Sequence, residues 1–235
     1  MSVFTSLGIL ILAMLILLSL KLIPGIFMLF THFNLGKFSR KKAEDLSIFF
    51  IFGVEIMFAL VFIFINSIFH LLSSTEIIFE NAIFNFIFAG IMIALCFATF
   101  LFYFKKESGT KLFISRKTAH NFILKAKTAK NRSDAFLLGF IAGIPELLFS
   151  LPLFTISFIE MSKLSFPYLS FSALILVFIF ISVIPLFIIY TLESTNHNLA
   201  ELEKSRIKNK TFFRVFISTL YLLLAILIII PGVTS

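Results

Sequence analysis

The sequence has few charged residues for its length, and this shortage limits the class of protein it can be. Charged residues make up 14% of the 235 positions, against about 25% in an average soluble domain. Hydrophobic residues make up 60%, and the mean hydropathy is +1.08. Because a soluble fold of this size must leave much of its surface in water, it cannot bury so much apolar side chain. We therefore expect an integral membrane protein.

Cysteine, tryptophan and histidine are also scarce, and their scarcity excludes several kinds of chemistry. The chain has one cysteine, Cys96, no tryptophan and four histidines. A single cysteine excludes an intrachain disulfide and a CxxC redox pair, and no histidines have the spacing of a metal site. No nucleophile has an accompanying base in the sequence. We expect no cofactor, no metal and no enzymatic activity.

The abundant residues form long apolar runs. A membrane-spanning helix needs about 20 predominantly apolar residues, and the chain contains six such runs. The fold class that follows is an all-α membrane protein with six transmembrane helices. The predicted spans are approximately Phe4–Phe30, Leu46–His70, Ile77–Phe104, Ala135–Phe158, Phe166–Tyr190 and Phe212–Pro231.

Lysine and arginine are distributed very unevenly around these runs. Eighteen of the twenty lie in the connections after the first, third and fifth predicted spans, or at the start of the sixth. Cytoplasmic loops carry an excess of Lys and Arg. We therefore expect a multi-pass protein of the cytoplasmic membrane with basic loops inside and both termini outside. This topology and attraction to anionic inner-leaflet lipids account for the net charge of +8 without a nucleic-acid partner.

A short motif occurs once in each half of the chain. The first predicted span contains Ile23-Pro24-Gly25, and the fourth contains Ile144-Pro145-Glu146. Three spans per half give the halves opposite orientations, which predicts two inverted repeats. We divide the chain into a first repeat at residues 1–104, a basic cytoplasmic linker at 105–134 and a second repeat at 135–235. The linker is either an amphipathic helix on the membrane face or a solvated loop.

The two prolines are candidates for breaks in their helices. Proline removes a backbone N–H group and clashes with the preceding turn. Transporters use helices broken in this way to hold substrates near the middle of the membrane. We therefore take Pro24, Gly25 and Pro145 as candidate substrate-binding positions. An ordinary proline kink is the alternative for each.

Three ionisable residues fall within the predicted spans. They are Lys21, one turn before Pro24, then Glu55 and Glu146. Charged groups at membrane depth are costly and persist mainly where they pair or face water. We expect Lys21 to pair with one carboxylate and the other to bind a proton or an amine. A static buried pair, or a Lys21 side chain that extends to the membrane surface, is the alternative.

These residues resemble the motifs of the LysE-type translocators, whose superfamily includes the CcdA-type electron carriers. The resemblance covers Ile23-Pro24-Gly25, Gly36-Lys37 and Phe52-Gly53 in the first half, and Ile144-Pro145-Glu146 in the second. It implies two inverted three-helix repeats and export of small solutes such as amino acids. Because an electron carrier requires paired thiols, the single cysteine excludes that chemistry.

Two functions remain open from the sequence. The first is a secondary exporter of a small amine-bearing or cationic solute, which could form a homo-oligomer. The second is a membrane scaffold or assembly factor, whose polar centre is structural and whose basic loops bind a cytoplasmic partner.

Overall fold

In the computed structural model, all of the regular secondary structure among the described residues is helical. The structure describes residues 3–21, 40–72, 82–102, 121, 124–126, 128–164, 176, 179–181, 183–188, 190–191 and 209–234. A 3-10 turn at Ile144–Glu146 lies between two of the helices. In chain order the main helices are α1 (Val3–Lys21), α2 (Arg40–Leu72), α3 (Ala82–Phe102), α4 (Arg132–Gly143), α5 (Leu147–Lys163) and α6 (Lys210–Thr234).

Four of these helices, α1, α2, α3 and α6, are long and apolar enough to cross a membrane. α4 and α5 meet the same criterion only as a pair, bent by 73°. A shorter apolar helix at Ile179–Ile188 lies within the fifth predicted span. The described residues thus form a multi-pass, all-α membrane protein with four candidate spans, or five if the bent pair is one span. Six spans remain a prediction.

Two helices begin a full turn or nearly so before their predicted spans. α2 begins at Arg40 rather than Leu46, and α4 begins at Arg132 rather than Ala135. The helices extend through charged residues because charged side chains are compatible with a helix outside the apolar layer. Hydropathy predicts the length of the apolar segment, whereas backbone hydrogen bonds determine the ends of the helix.

α2 and α4 run in the same direction. Near their N-termini, the Nε atom of Arg132 donates a hydrogen bond to the Oδ2 atom of Asp45 over 2.7 Å. Further along both helices, the methyl group of Met57 lies against Gly143, the last residue of α4. This parallel arrangement is the one expected if both helices start from basic loops on the same side of the membrane.

α6 is antiparallel to both α3 and α1. The Arg214 guanidinium group, near the start of α6, lies 4.8 Å from the centre of the Phe100 ring near the end of α3. At the other end of α6, Leu227 is so close to Gly8 of α1 that a Cβ atom there would lie 3.4 Å from its Cδ1 atom. Of the four long helices, α1 and α3 therefore run in one direction, and α6 runs in the opposite direction.

Glycines bring the backbones of α2 and α4 into contact. A Cβ atom at Gly139 would overlap the carbonyl oxygen of Phe50, and one at Gly53 would overlap that of Phe136. The sequence predicts close packing here, because Gly139 and Gly143 are four residues apart on one helix face. The structure confirms this prediction and identifies α2 as the partner.

α5 is buried more completely than a helix at the lipid surface would be. Six consecutive residues, from Ile156 to Met161, are buried. Six residues cover more than one full turn, so no side of this segment faces lipid. α5 contacts α1, α2 and α3, and a hydrogen bond joins it to α6. It is therefore the central helix of the described bundle.

Candidate functional site

The span that contains Pro145 is broken at that residue. α4 ends at Gly143, a 3-10 turn covers Ile144–Glu146, and α5 begins at Leu147. Pro145 has no N–H group, and the backbone hydrogen bonds on both sides of it connect residues three apart instead of four. The N–H group of Ile144 donates to the carbonyl of Ile141, and that of Leu147 donates to the carbonyl of Ile144. The break predicted at Pro145 is confirmed.

Glu146 occupies the end of this break and the N-cap position of α5. Its side chain is 7% exposed. The N-terminal end of a helix carries a partial positive charge, which favours a carboxylate at this position. The break thus places an acidic side chain inside the bundle, next to the first turn of the central helix.

Buried polar residues continue from Glu146 along one side of α5. Steps of four, three, four and three residues lead from Glu146 through Ser150 and Leu153 to Ser157 and Glu160. This spacing keeps all five on one face of a helix. We call these five residues the α5 stripe. Each of them is buried, and Glu160 is 1% exposed. The two carboxylates are separated by about 21 Å along the helix, at 1.5 Å per residue.

The two hydroxyl groups of the α5 stripe differ in their bonding. Ser150 Oγ donates to the carbonyl oxygen of Glu146 over 2.9 Å, within its own helix. Ser157 Oγ is buried and has no hydrogen-bond partner among the residues that the structure describes. Since burying a hydroxyl group without a partner costs free energy, such groups are uncommon in folded proteins. Ser157 is therefore a candidate ligand for a polar solute.

Tyr221 attaches the first turn of α5 to α6. Its side chain is completely buried, and its hydroxyl group donates to the carbonyl oxygen of Phe149 over 3.3 Å. Pro152 lacks the N–H group that would bond the carbonyl of Leu148, so α5 has one backbone hydrogen bond fewer in this turn. The bond from Tyr221 supports α5 from outside, three residues after the break.

Glu55 has both carboxylate oxygens buried, but it does not face α4. Gly53 and Met57 contact α4 from one side of α2. Glu55 lies midway between them in the sequence, which puts it on the other side of the helix. Glu55 therefore does not meet Glu146 across the α2–α4 contact.

The remaining predicted site residues belong to the first half of the chain. Lys21 is the last residue of α1, and its side chain lies outside the described residues. Pro24 and Gly25 also lie outside them. The predicted pairing of Lys21 with a carboxylate and the predicted break at Pro24 remain predictions.

Sequence reasoning missed four of the five members of the α5 stripe, namely Ser150, Leu153, Ser157 and Glu160. The predicted fourth span ended at Phe158, so Glu160 fell just outside it. The available signal was the recurrence of polar residues at helical spacing after Glu146. A hydropathy value averaged over a window of residues hides such a pattern, because most of the residues between the polar ones are apolar.

No group of three or more His, Cys, Asp and Glu side chains that could hold a metal ion occurs within the described ranges. In comparisons with known proteins, no family model matches the chain, and no curated protein or solved structure matches it. The proposals that follow therefore depend on the geometry of this chain and on the motif resemblance described above.

Proposed function

We propose that this protein is a secondary transporter of the cytoplasmic membrane that exports a small amine-bearing or cationic solute. The observation that carries the proposal is the α5 stripe, in which two buried carboxylates lie on one face of a central helix that starts at a break. An intramembrane carboxylate is by default a functional-site hypothesis, because it is costly to bury without a role. A cationic solute is the ligand that best complements two carboxylates.

The α5 stripe provides more than one contact for such a solute. Glu146 supplies negative charge at the break, and Glu160 supplies it near the other end of α5. Ser157 lies between them and offers a hydroxyl group that the described protein groups do not use. An amine that moves along the stripe would exchange one carboxylate for the other. This supports a path through the bundle rather than a single closed site.

The arrangement of the helices supports inverted repeats. α1 is the first element of the first half, and the bent pair α4–α5 is the first element of the second. α1 contacts α5, and α3 contacts α6, so equivalent first and last elements meet. A pseudo-two-fold axis in the membrane plane would exchange α1 with the α4–α5 pair, and α3 with α6. In this scheme Pro24 and Gly25 form the break that corresponds to Pro145 and Glu146.

Glu55 and Lys21 have supporting roles in the proposal. The Glu55 carboxylate lies inside the bundle, on the side of α2 that faces away from α4. We place it near the equivalent broken helix of the first half, where Lys21 would balance its charge. The basic loops would face the cytoplasm, and both termini the outside.

Ligand-dependent thermal stabilisation of the purified protein tests the proposal. Lysine, arginine and putrescine serve as cationic probes, with alanine and glutamate as uncharged and anionic comparisons. A ligand that binds only the folded state raises stability by about 2.7 kcal/mol at a hundredfold excess over its Kd. We expect stabilisation by at least one cationic probe, and transport of that probe by proteoliposomes.

The Glu146→Gln variant identifies the site, because it removes the charge and preserves the shape. We expect it to insert and fold, to lose the cation-dependent stabilisation and to lose transport. Asp134→Asn is the matched control, since Asp134 is an exposed carboxylate at the start of α4. Transport that survives in Glu146→Gln would contradict the assignment of Glu146. A wild-type protein that responds to no cationic probe would favour the scaffold function.

A further inference from the structure

Hydroxyl side chains in this bundle fall into two groups. Most of the described serine and threonine hydroxyl groups that form a hydrogen bond donate it to a backbone carbonyl oxygen three or four residues earlier, as is common in membrane helices. Thr99 in α3 and Ser218 in α6 differ, because both are buried and neither makes a hydrogen bond within the described part of the chain. The hydroxyls that bond back include Ser19, Ser67, Thr155 and Thr219.

Arg214, one turn before Ser218 on α6, has an unusual environment for an arginine. Its guanidinium group covers the ring of Phe100, but its Nε atom is buried and has no hydrogen-bond partner. No carboxylate pairs with it among the residues that the structure describes. Arg132, by contrast, is exposed and bonds Asp45 over 2.7 Å. The buried Nε donor of Arg214 is therefore not satisfied by the described protein groups.

The helix geometry brings the three groups to one place between α3 and α6. Ser218 is one turn after Arg214 on the same side of α6, which separates their Cβ atoms by about 5–6 Å. Thr99 directly precedes Phe100, the residue whose ring Arg214 covers. Ser218 is thus within about one helical turn of Arg214, and Thr99 is adjacent to the residue whose ring Arg214 covers. A group that accepts several hydrogen bonds and carries negative charge complements this set.

The surroundings indicate that this group belongs to a lipid. Arg214 is the fourth residue of the apolar segment Thr211–Ile230 of α6, so it lies near one end of this candidate span. The ends of membrane spans are the parts that phospholipid headgroups reach. The rings of Phe212 and Phe216 stack 5.9 Å apart and are both exposed, as is Phe97 on α3. Such a surface suits acyl chains. Basic pockets between membrane helices are known to bind anionic headgroups.

We propose that Arg214, Thr99 and Ser218 form a binding site for the phosphate group of an anionic phospholipid. The site includes no residue of the α5 stripe, and the proposal does not depend on the transport function. Arg214 supplies charge and N–H donors to the phosphate oxygens, and the two hydroxyl groups donate to them. The exposed phenylalanine rings contact the acyl chains.

Native mass spectrometry of the purified protein with added phosphatidylglycerol or phosphatidylcholine tests this site. We expect one phosphatidylglycerol to bind at least about tenfold more tightly than phosphatidylcholine, because charge-assisted hydrogen bonds are the stronger ones. Arg214→Gln should remove this preference. Lys130→Gln is the charge-matched control at an exposed position and should leave the preference intact. Equal binding of both lipids to the wild type would overturn the proposal.

The Thr99→Val/Ser218→Ala double variant tests the site without the loss of charge. Removing buried hydroxyls that lack partners should leave the lipid-free thermal midpoint unchanged or raise it. Under the proposal, the affinity for phosphatidylglycerol nevertheless falls severalfold, and Thr219→Ala, an exposed neighbour, leaves it unchanged. An unchanged affinity in the double variant would contradict the role of the hydroxyls.

Inorganic phosphate distinguishes a lipid from a soluble anion. If phosphate alone stabilises the wild type and displaces phosphatidylglycerol completely, the site serves a soluble anion and the lipid assignment is wrong. If phosphatidylglycerol binds in excess phosphate, the acyl chains contribute to affinity and the assignment is supported.

Discussion

At the scale of single residues, burial decides what a polar side chain contributes. The ion pair between Arg132 and Asp45 is exposed on both sides, at 65% and 36% of the side-chain surface. Exposed pairs contribute little to stability, because water solvates both charges and salt screens them. Tyr221 has no exposed surface, and its hydroxyl group donates to the Phe149 carbonyl away from water. That bond joins two helices and supports the broken span.

Removing the Tyr221 hydroxyl group should therefore destabilise the protein by a measurable amount. We expect Tyr221→Phe to lower the free energy of unfolding by about 1 kcal/mol, because a buried hydrogen bond between helices is lost. Thr219→Val, two residues earlier, is the matched control, since this exposed hydroxyl bonds only the Val215 carbonyl of its own helix. Thermal unfolding in detergent measures both. Equal midpoints for Tyr221→Phe and the wild type would contradict this role.

At the scale of elements, the contact between α2 and α4 holds the broken span against the rest of the bundle. Gly53 and Gly139 allow the two backbones to touch, and neither position has room for a Cβ atom. Membrane helices associate through such close packing, because lipid provides no hydrophobic driving force between them. At Gly143 the neighbour is the flexible end of Met57, which can move.

Alanine substitutions should therefore give graded effects at these glycines. Gly139→Ala should cost about 3 kcal/mol or more, the upper end for overpacking, because the obstacle is backbone rather than side chain. Gly143→Ala should cost less, since the Met57 side chain can rotate. Gly90→Ala is the control, because nothing lies within 4 Å of a Cβ atom there. Thermal midpoints measure the series, and a Gly139→Ala variant as stable as Gly90→Ala would contradict the contact.

At the scale of the whole molecule, the described contacts set the relative directions of the helices but not the side of the membrane. α2 and α4 are parallel, and α6 is antiparallel to both α1 and α3. The distribution of Lys and Arg predicts the absolute orientation, with the starts of α2, α4 and α6 in the cytoplasm. Cys96 is the only cysteine in the chain, which makes this orientation straightforward to measure.

In a Cys96→Ala background, Val3→Cys and Ser133→Cys should lie on opposite sides of the membrane. Val3 is 60% exposed at the start of α1, and Ser133 is exposed at the start of α4. We expect a membrane-impermeant maleimide to label Val3→Cys in intact cells and Ser133→Cys only after the membrane is opened. Labelling of both from the same side would contradict the predicted topology.

The sequence by itself determined that this protein lies in a lipid bilayer, where most of its apolar helices are, and that its fourth span breaks at Pro145. These features depend on local composition and covalent structure: an apolar run must avoid water, and a proline cannot donate a backbone hydrogen bond wherever it lies. The predicted break at Pro24 has the same basis, although it falls outside the described residues. The close packing at Gly139 was also accessible, because the spacing of small residues on a helix face is local information.

Only the tertiary structure decided which helix faces are buried and which polar groups lie together. Hydropathy does not record rotation about a helix axis, so the position of Glu55 on the side of α2 away from α4 was not predictable. The helical spacing of the polar residues in the α5 stripe was readable from the sequence, but the burial of that face of α5 was not. The grouping of Arg214, Thr99 and Ser218 was not readable either, because it depends on how α3 and α6 pack. These arrangements arise from contacts between residues far apart in the chain. Such contacts, rather than the identity of single residues, determine which side chains are buried.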